Sequence, residues 1–251
     1  MLYMMWDMVK RDFRNKYAGS VLGLLWNLLL PIGYIIIYTT VFSKLMSAKI
    51  PNMTNSYDYS VFLSSGILAW TVFSNTIIRF QNIFIENSNI VKKIYFPKSI
   101  LLYSLALSSI IELIINYMLL AIILAVVGYP LHLSYAFVLV LIILMQVFCL
   151  GIGKVLSILN VHFRDLSQFI SITLPILFWL TPIVYFEDIL PKYMIKIVEY
   201  NPIAYMIKAF QSIILYSKIE HIYLIAIIAI ATYFLGSIFY KKMINEVSDL
   251  I

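Results

Sequence analysis

The chain has 251 residues, of which 63% are apolar and 12% are charged, and its formal net charge is +6 at pH 7. A soluble domain of this composition would expose more apolar surface than such domains tolerate, so the composition excludes that class and indicates a protein that crosses a membrane several times. The single cysteine, Cys149, lies in an apolar run and has no partner for an internal disulfide.

The chain begins with an amphipathic segment at residues 1–17. Apolar side chains recur there at three- and four-residue steps, and basic side chains fill the positions between them. This pattern predicts a helix that lies in the membrane interface with its basic side in water. The segment lacks a small-residue cleavage site, which argues against a removed signal peptide.

Six charge-poor runs follow, each long enough to cross a bilayer, which takes ~20 apolar residues. The predicted spans cover residues 21–42, 61–78, 99–127, 133–159, 166–185 and 221–240. Pro31 predicts a kink in the first span. The predicted fold class is therefore an all-α integral membrane protein with one transmembrane domain.

A polar, basic stretch at residues 86–98 separates spans 2 and 3. Short polar side chains at its start can accept the unpaired N–H groups of a first helical turn, and a proline near its end stops the helix. The residues concerned are Asn87, Ser88 and Asn89 at the start, Ile90, Ile94 and Tyr95 on one side, Lys92 and Lys93 beside them, and Pro97 at the end. The stretch predicts a short amphipathic helix that either floats on headgroups or docks into another protein.

Residues 187–217 interrupt the pattern of spans. Pro191 and several charges divide their apolar residues, and each half is too short to cross a bilayer. We predict two short helices, dipping into the membrane or lying flat on it, that are split at Asn201 and Pro202.

The basic residues predict the orientation. With the amino terminus in the cytoplasm, twelve Lys and Arg residues lie on the cytoplasmic side and six on the other. This distribution follows the positive-inside tendency. Both termini and the 86–98 helix are then cytoplasmic, and residues 187–217 face outward.

The sequence contains few residues that could form a nucleotide-binding, metal-binding or catalytic site. The string nearest to a phosphate-binding loop, residues 151–155, lacks the spacing and the hydroxyl that such a loop requires. His132, His162 and His221 fit no metal-ligand pattern, so no metal site is predicted. Glu112 is a charged residue deep in span 3, where a hydrogen bond between helices and a proton relay are both open interpretations. The acidic or histidine cluster that a membrane-embedded transferase needs is not evident.

Aromatic residues make up 16% of the chain, more than interfacial belts usually need. Flat aromatic faces can stack on sugar rings and tyrosine hydroxyls can add hydrogen bonds, although packing and belt roles remain open for each residue. The candidates for a substrate path are Trp26, Tyr34, Tyr38 and Phe42 in span 1, and Phe178, Trp179 and Tyr185 in and after span 5.

Six segments in this order resemble the type-2 ABC exporter permeases. Within that family they are most similar to the Wzm-type subunits that export O-antigen polysaccharide, with the teichoic-acid and capsule permeases as close relatives. The segments are RDFRNKYAGSVLGLLWNLLLPI (Arg11–Ile32), GILAWTVFSN (Gly66–Asn75), NSNIVKKIYFP (Asn87–Pro97), Arg164-Asp165, FWLTPIVY (Phe178–Tyr185) and YNP (Tyr200–Pro202).

The resemblance implies a homodimer in the inner membrane that docks two copies of a separate ATP-binding subunit. ATP and magnesium would bind that subunit, so no cofactor is expected in this chain. Residues 87–97 match the coupling helix that contacts the subunit, with Arg164 and Asp165 near the same partner. Spans 1 and 5 would line the channel for a lipid-linked polysaccharide, and residues 187–217, with Pro191, Asn201 and Pro202, match the outward gate helices.

Two other functions remain open at this stage. The same fold class includes exporters of drugs and lipids, which would move small amphiphiles and would not depend on a glycan pathway. A secondary transporter or channel would need an ion site of its own, for which Glu112 is the candidate.

Overall fold

The computed structural model describes residues 2–16, 20, 26, 29, 32–33, 36–37, 57–93, 97–187, 190–219 and 221–250. This part of the chain is helical with short connections and contains no β-strand. Its helices are α1 (Leu2–Lys16), α2 (Asp58–Glu86), α3 (Ser88–Lys93), α4 (Ser99–Val127), α5 (Phe137–His162), α6 (Leu166–Trp179), α7 (Lys192–Glu199), α8 (Pro202–Tyr216), α9 (Ile222–Met243) and α10 (Val247–Leu250), and a 3-10 turn, Leu133–Ala136, leads into α5.

Within the described part of the chain, four helices are long and apolar enough to cross a membrane: α2, α4, α9, and α5 together with its leading turn. They lie where the sequence predicts spans 2, 3, 6 and 4. The helix at predicted span 5, α6, has 14 residues and ends at Trp179 rather than at 185. In predicted span 1, positions 26, 29, 32–33 and 36–37 are helical, and the rest of 21–42 lies outside the described residues.

Helix α2 continues past the predicted end of span 2 at residue 78. It runs for 29 residues, or about 44 Å at 1.5 Å per residue, and includes Arg79. Arg79 forms an ion pair with Asp12 of α1. An opposite charge from a neighbouring helix makes a cation tolerable in the bundle, so the helix does not have to stop there.

Glycines bring α5 into backbone contact with α9. A Cβ atom on Gly236 would lie 2.1 Å from the carbonyl oxygen of Gly151, and one on Gly151 would lie 2.6 Å from the carbonyl oxygen of Thr232. On another side of α5, a Cβ atom on Gly153 would lie 2.4 Å from the ring of Phe80 in α2. Small residues allow such close approach between membrane helices, and here they make α5 the centre of the bundle.

Helix α8 lies inside the bundle, not flat on its surface. Most of its side chains from Ile203 to Ile214 are buried, and the ring of Phe210 stacks on Tyr117 of α4 at 4.9 Å between centroids. Tyr117 also donates to the carbonyl oxygen of Ser65 in α2 at 2.7 Å. Because α8 is apolar around most of its circumference, other helices can surround it, whereas α7 buries Val198 and is otherwise largely exposed.

The turn between α4 and α5 is fastened to the start of α2. The Tyr129 hydroxyl donates to Asp58 Oδ1 at 3.0 Å. Burial raises the pKa of the Tyr129 phenol, and the hydrogen bond to Asp58 acts in the same direction. Tyr129 therefore stays protonated at physiological pH and remains a donor to Asp58.

We expect Gly236→Val to destabilise the protein, because the added side chain would collide with the backbone of α5. Overpacking of this kind costs about 1–3 kcal/mol. Thermal unfolding of the detergent-solubilised protein should show a lower midpoint than for the unmodified chain. Ala231→Val is the matched control, since Ala231 lies on the exposed side of the same helix. Equal midpoints for the two variants would contradict the backbone contact.

Candidate transport path and coupling surface

Helix α3 lies at the end of α2 and joins it through Asn87. Val91 is 7% exposed and packs into the core, Ile90 is half-buried, and Asn89 and Lys92 face outward. Helix α3 is therefore anchored on one side, and its other side is polar and exposed. Two residues of the predicted docking side, Ile94 and Tyr95, lie outside the described residues, as does the side chain of Lys93, and Pro97 is exposed just before α4.

Asn87 faces the protein and not the predicted partner. Its Nδ2 donates to the carbonyl oxygen of Ile83 at 2.8 Å, and its Oδ1 accepts from the Arg11 guanidinium at 3.1 Å. Asn87 thus closes the last turn of α2 and ties it to α1. The sequence predicts a helix start at Asn87, Ser88 and Asn89, and α3 begins at Ser88, with the Asn87 carbonyl oxygen accepting from the backbone N–H of Ile90 and Val91.

Helix α1 is fastened to α2 and α4 by charged contacts. Besides the Asp12–Arg79 pair, Lys16 Nζ lies 2.8 Å from Glu112 Oε1, and the hydroxyl of Ser104 lies 3.9 Å from Met8 Sδ. Contacts from residues 8 and 16 of α1 reach residues 104 and 112 of α4, so the two helices run side by side for about two turns. Glu112 thus has a basic partner in Lys16 of α1.

A second exposed segment, Phe163–Asp165, connects α5 and α6. Phe163, Arg164 and Asp165 are all exposed, and α6 begins at the next residue. Since α2 and α5 both end on the side of the bundle that carries α3, the loop and α3 lie at the same end. This arrangement brings the two predicted parts of the coupling surface to one face.

An open groove with aromatic walls runs between α2 and α6. Phe178 meets Trp70 edge to face at 5.6 Å between centroids, and Trp179 is 63% exposed beside Phe178. Other lining residues are Ser74, Ile78 and Leu174. The structure therefore brings the predicted path residues Phe178 and Trp179 together and adds Trp70, which the sequence reasoning left out although it lies in the quoted segment 66–75.

The remaining predicted path residues have different positions. The Tyr185 hydroxyl donates to the carbonyl oxygen of Trp179 at 2.7 Å, so Tyr185 folds back over the end of α6. Trp26 is 38% exposed and donates to the Ser20 hydroxyl at 3.1 Å. Tyr34, Tyr38 and Phe42 lie outside the described residues.

Residues 180–186 are not helical, and side chains from other helices satisfy their backbone. Asn201 Nδ2 donates to the carbonyl oxygen of Leu180 at 3.4 Å and to the side chain of Thr181 at 3.0 Å. Gln211 Nε2 donates to the carbonyl oxygens of Pro182 and Ile183 at 3.3 and 3.4 Å. Tyr59 donates to the carbonyl oxygen of Val184 at 2.8 Å. Irregular backbone at membrane depth needs partners of this kind, because lipid supplies none.

The predicted gate residues belong to this arrangement. Asn201 is 7% exposed and caps α8 by accepting from the backbone N–H of Ile203 at 3.0 Å, with Pro202 in the first turn. Pro191 is exposed immediately before α7. The break at Asn201 and Pro202 is therefore joined through Thr181 to the end of the groove-lining helix α6. Gln211, a buried amide on α8, was not singled out from the sequence.

Comparison with known proteins gives one matching family and three similar proteins that share a name. The profile of the ABC-2 type transporter family matches residues 4–215. Two proteins from Klebsiella pneumoniae named O-antigen export system permease protein RfbA are each 31% identical over 215 residues, covering 85% of this chain and 81% of theirs. A protein of the same name from Myxococcus xanthus is 26% identical over 179 residues, covering 71% of this chain and 66% of its own.

We expect the Lys16–Glu112 pair to hold α1 on α4. Glu112→Gln keeps an acceptor oxygen and the side-chain volume, so thermal stability and transport should change little. Glu112→Leu removes the acceptor and should cost roughly 1–3 kcal/mol. The Lys16→Leu, Glu112→Leu double variant should lose less than the sum of the single losses, as thermal unfolding of all four proteins would measure.

The same variants test a proton-relay role of Glu112. If Glu112→Gln abolishes transport while the protein inserts and unfolds normally, then Glu112 carries a proton, and its pairing with Lys16 is not its main role.

Proposed function

This chain belongs to the ABC-2 type transporter family, and on that basis we propose that it is the membrane subunit of an ATP-driven exporter of lipid-linked polysaccharide. The observation that carries the polysaccharide assignment is the 31% identity over 85% of the chain to proteins named O-antigen export system permeases. The aromatic groove between α2 and α6 supports it, because it offers ring faces to a sugar chain.

The partner we infer is a separate ATP-binding subunit, which would hold ATP and magnesium. Its docking surface would comprise α3 and the exposed Arg164 and Asp165, which lie at one end of the bundle. Two copies of this chain would each dock one such subunit. A bundle with buried α5 and α8 at its centre has little room for a pore of its own, which favours a path between two copies.

The mechanism follows from these positions. Closure of two ATP-binding subunits on ATP would displace α3, and α2 would carry the displacement because the two helices are joined by Asn87. Spans 1 and 5 would separate to open the path. The contacts of the subunits must differ between the two nucleotide states, since a ligand shifts an equilibrium only by its differential affinity.

Passage of a long polymer favours many weak contacts over one tight site. Aromatic contacts contribute roughly 1 kcal/mol each, by analogy with aromatic pairs. The half-buried Phe178 and the exposed Trp179 would let sugars slide, whereas a deep site would hold the chain in place.

The proposed location is the cytoplasmic membrane, with both termini in the cytoplasm. The supporting observation is the excess of Lys and Arg on the side of α3 and the chain ends.

A charge on the coupling surface should uncouple ATP hydrolysis from export. We expect Ile94→Asp to leave membrane insertion and ATP hydrolysis in place and to reduce export at least tenfold, because a buried carboxylate at a docking surface costs more than 1.4 kcal/mol, or about one order of magnitude. Export would be measured as surface glycan in cells that carry the variant as their only copy. Ile94→Leu is the control, and unchanged export by Ile94→Asp would refute the docking assignment.

Depletion of the chain in its native host should cause lipid-linked glycans to accumulate on the cytoplasmic side. Mass spectrometry of the extracted lipids would then show long polymers on a lipid carrier and would identify the cargo. In a host shown to make such polymers, an unchanged pool would favour export of drugs or other lipids. A plasmid copy of the unmodified chain should restore the normal pool.

A further inference from the structure

Asn160 lies where three helices meet, one residue beyond the predicted end of span 4. Helix α5 continues to His162, so Asn160 is within it and is fully buried. Its Nδ2 lies 3.0 Å from the carbonyl oxygen of Gln81 and 3.0 Å from Asn82 Oδ1, both in α2. Its Oδ1 accepts from the hydroxyl of Ser167 in α6 at 2.9 Å. One side chain of α5 is thus hydrogen-bonded to both α2 and α6.

The two helices it joins lead to the two proposed functional surfaces. Asn82 lies five residues before Asn87, after which α3 begins. Ser167 lies in the first turn of α6, whose other end carries Phe178 and Trp179 in the groove. A path of direct contacts therefore runs from the proposed docking helix through Asn160 to the proposed transport helix.

Helix α6 is held more lightly than its neighbours, which makes this contact important. Of its fourteen residues, Ile170 and Leu174 are buried. In contrast, α5 and α9 are joined by backbone contact at Gly151 and Gly236. With little apolar contact to hold it, the cytoplasmic end of α6 depends on polar contacts for its position, and the Ser167–Asn160 hydrogen bond is one of them.

We propose that Asn160 is a positioning residue that transmits displacement of α3 and the end of α2 to α6 during transport. The inference rests on the proposed function, and it adds the residue that couples the movement of α3 to that of α6. An amide suits the role because it donates to α2 and accepts from α6 at once. An aspartate could not donate to the two oxygens of α2, and an alanine or leucine could do neither. Because breaking a buried hydrogen bond leaves its groups unsatisfied, α2 and α6 move together.

Ser167→Ala tests the transmission without altering Asn160 or α2. We expect this variant to insert, to unfold near the normal temperature and to support ATP hydrolysis, while export per ATP hydrolysed falls about fivefold, the order of one lost hydrogen bond. Ser167→Thr keeps the hydroxyl and should restore coupling. Thr173→Val is the matched control, because the hydroxyl of Thr173 bonds within α6, to the carbonyl oxygen of Phe169.

The measurement combines surface glycan in depleted cells that carry each variant with ATP hydrolysis in membrane vesicles from the same cells. The proposal is supported if Ser167→Ala lowers glycan export but not ATP hydrolysis, if Ser167→Thr restores export, and if Thr173→Val leaves it unchanged. Equal coupling in Ser167→Ala and the unmodified chain overturns it, and so does a parallel loss of membrane protein, hydrolysis and export, which would mark Ser167 as merely structural. Failure of the proposed function is seen separately, because the unmodified chain would then not restore glycan export.

Discussion

The requirement that every backbone polar group in a bilayer find a partner within the protein determines much of this structure. Pro182 cannot donate a hydrogen bond and disfavours a helical residue before it, so the helix begun at Leu166 ends at Trp179. The carbonyl oxygens of the segment that follows need donors, and lipid provides none. Gln211 and Asn201 of α8 and Tyr59 of α2 supply them.

Burial of α8 follows from this requirement. For Gln211 to reach Pro182 and Ile183, α8 must pass close to α2, and the position that admits it is Gly66. A Cβ atom there would lie 2.6 Å from Gln211 Nε2. Three residues therefore act together: Pro182 ends α6, Gln211 donates to the carbonyl oxygens that this end leaves without donors, and Gly66 leaves space for the Gln211 side chain. Gly66 and Gln211 are 145 positions apart in the sequence.

The sequence predicts well whatever depends on local composition. Charge-poor runs predict the four long apolar helices. Asn201-Pro202 predicts the break between α7 and α8, because a side-chain cap and a fixed backbone angle act within a few residues. Features that depend on distant pairs are missed. Helix α2 continues through Arg79 because Asp12 lies beside it, and α5 continues through Asn160 because α2 and α6 bond its amide. No periodicity within either helix encodes those partners.

The helices of the bundle differ in how tightly they are packed: α5 and α9 are in backbone contact, whereas α6 has few buried side chains. At Gly151 and Gly236 the backbones of α5 and α9 touch, so sliding one helix past the other would drive backbone atoms into each other. Helix α6 has little buried surface, a break after its carboxyl-terminal end and one hydrogen bond to a buried amide near its amino-terminal end. Movement of α6 therefore costs less than sliding α5 past α9, and α6 is also the helix that carries Phe178 and Trp179. Under the proposed function, the α5–α9 pair would keep its packing while the lightly held α6 moves and alters the path.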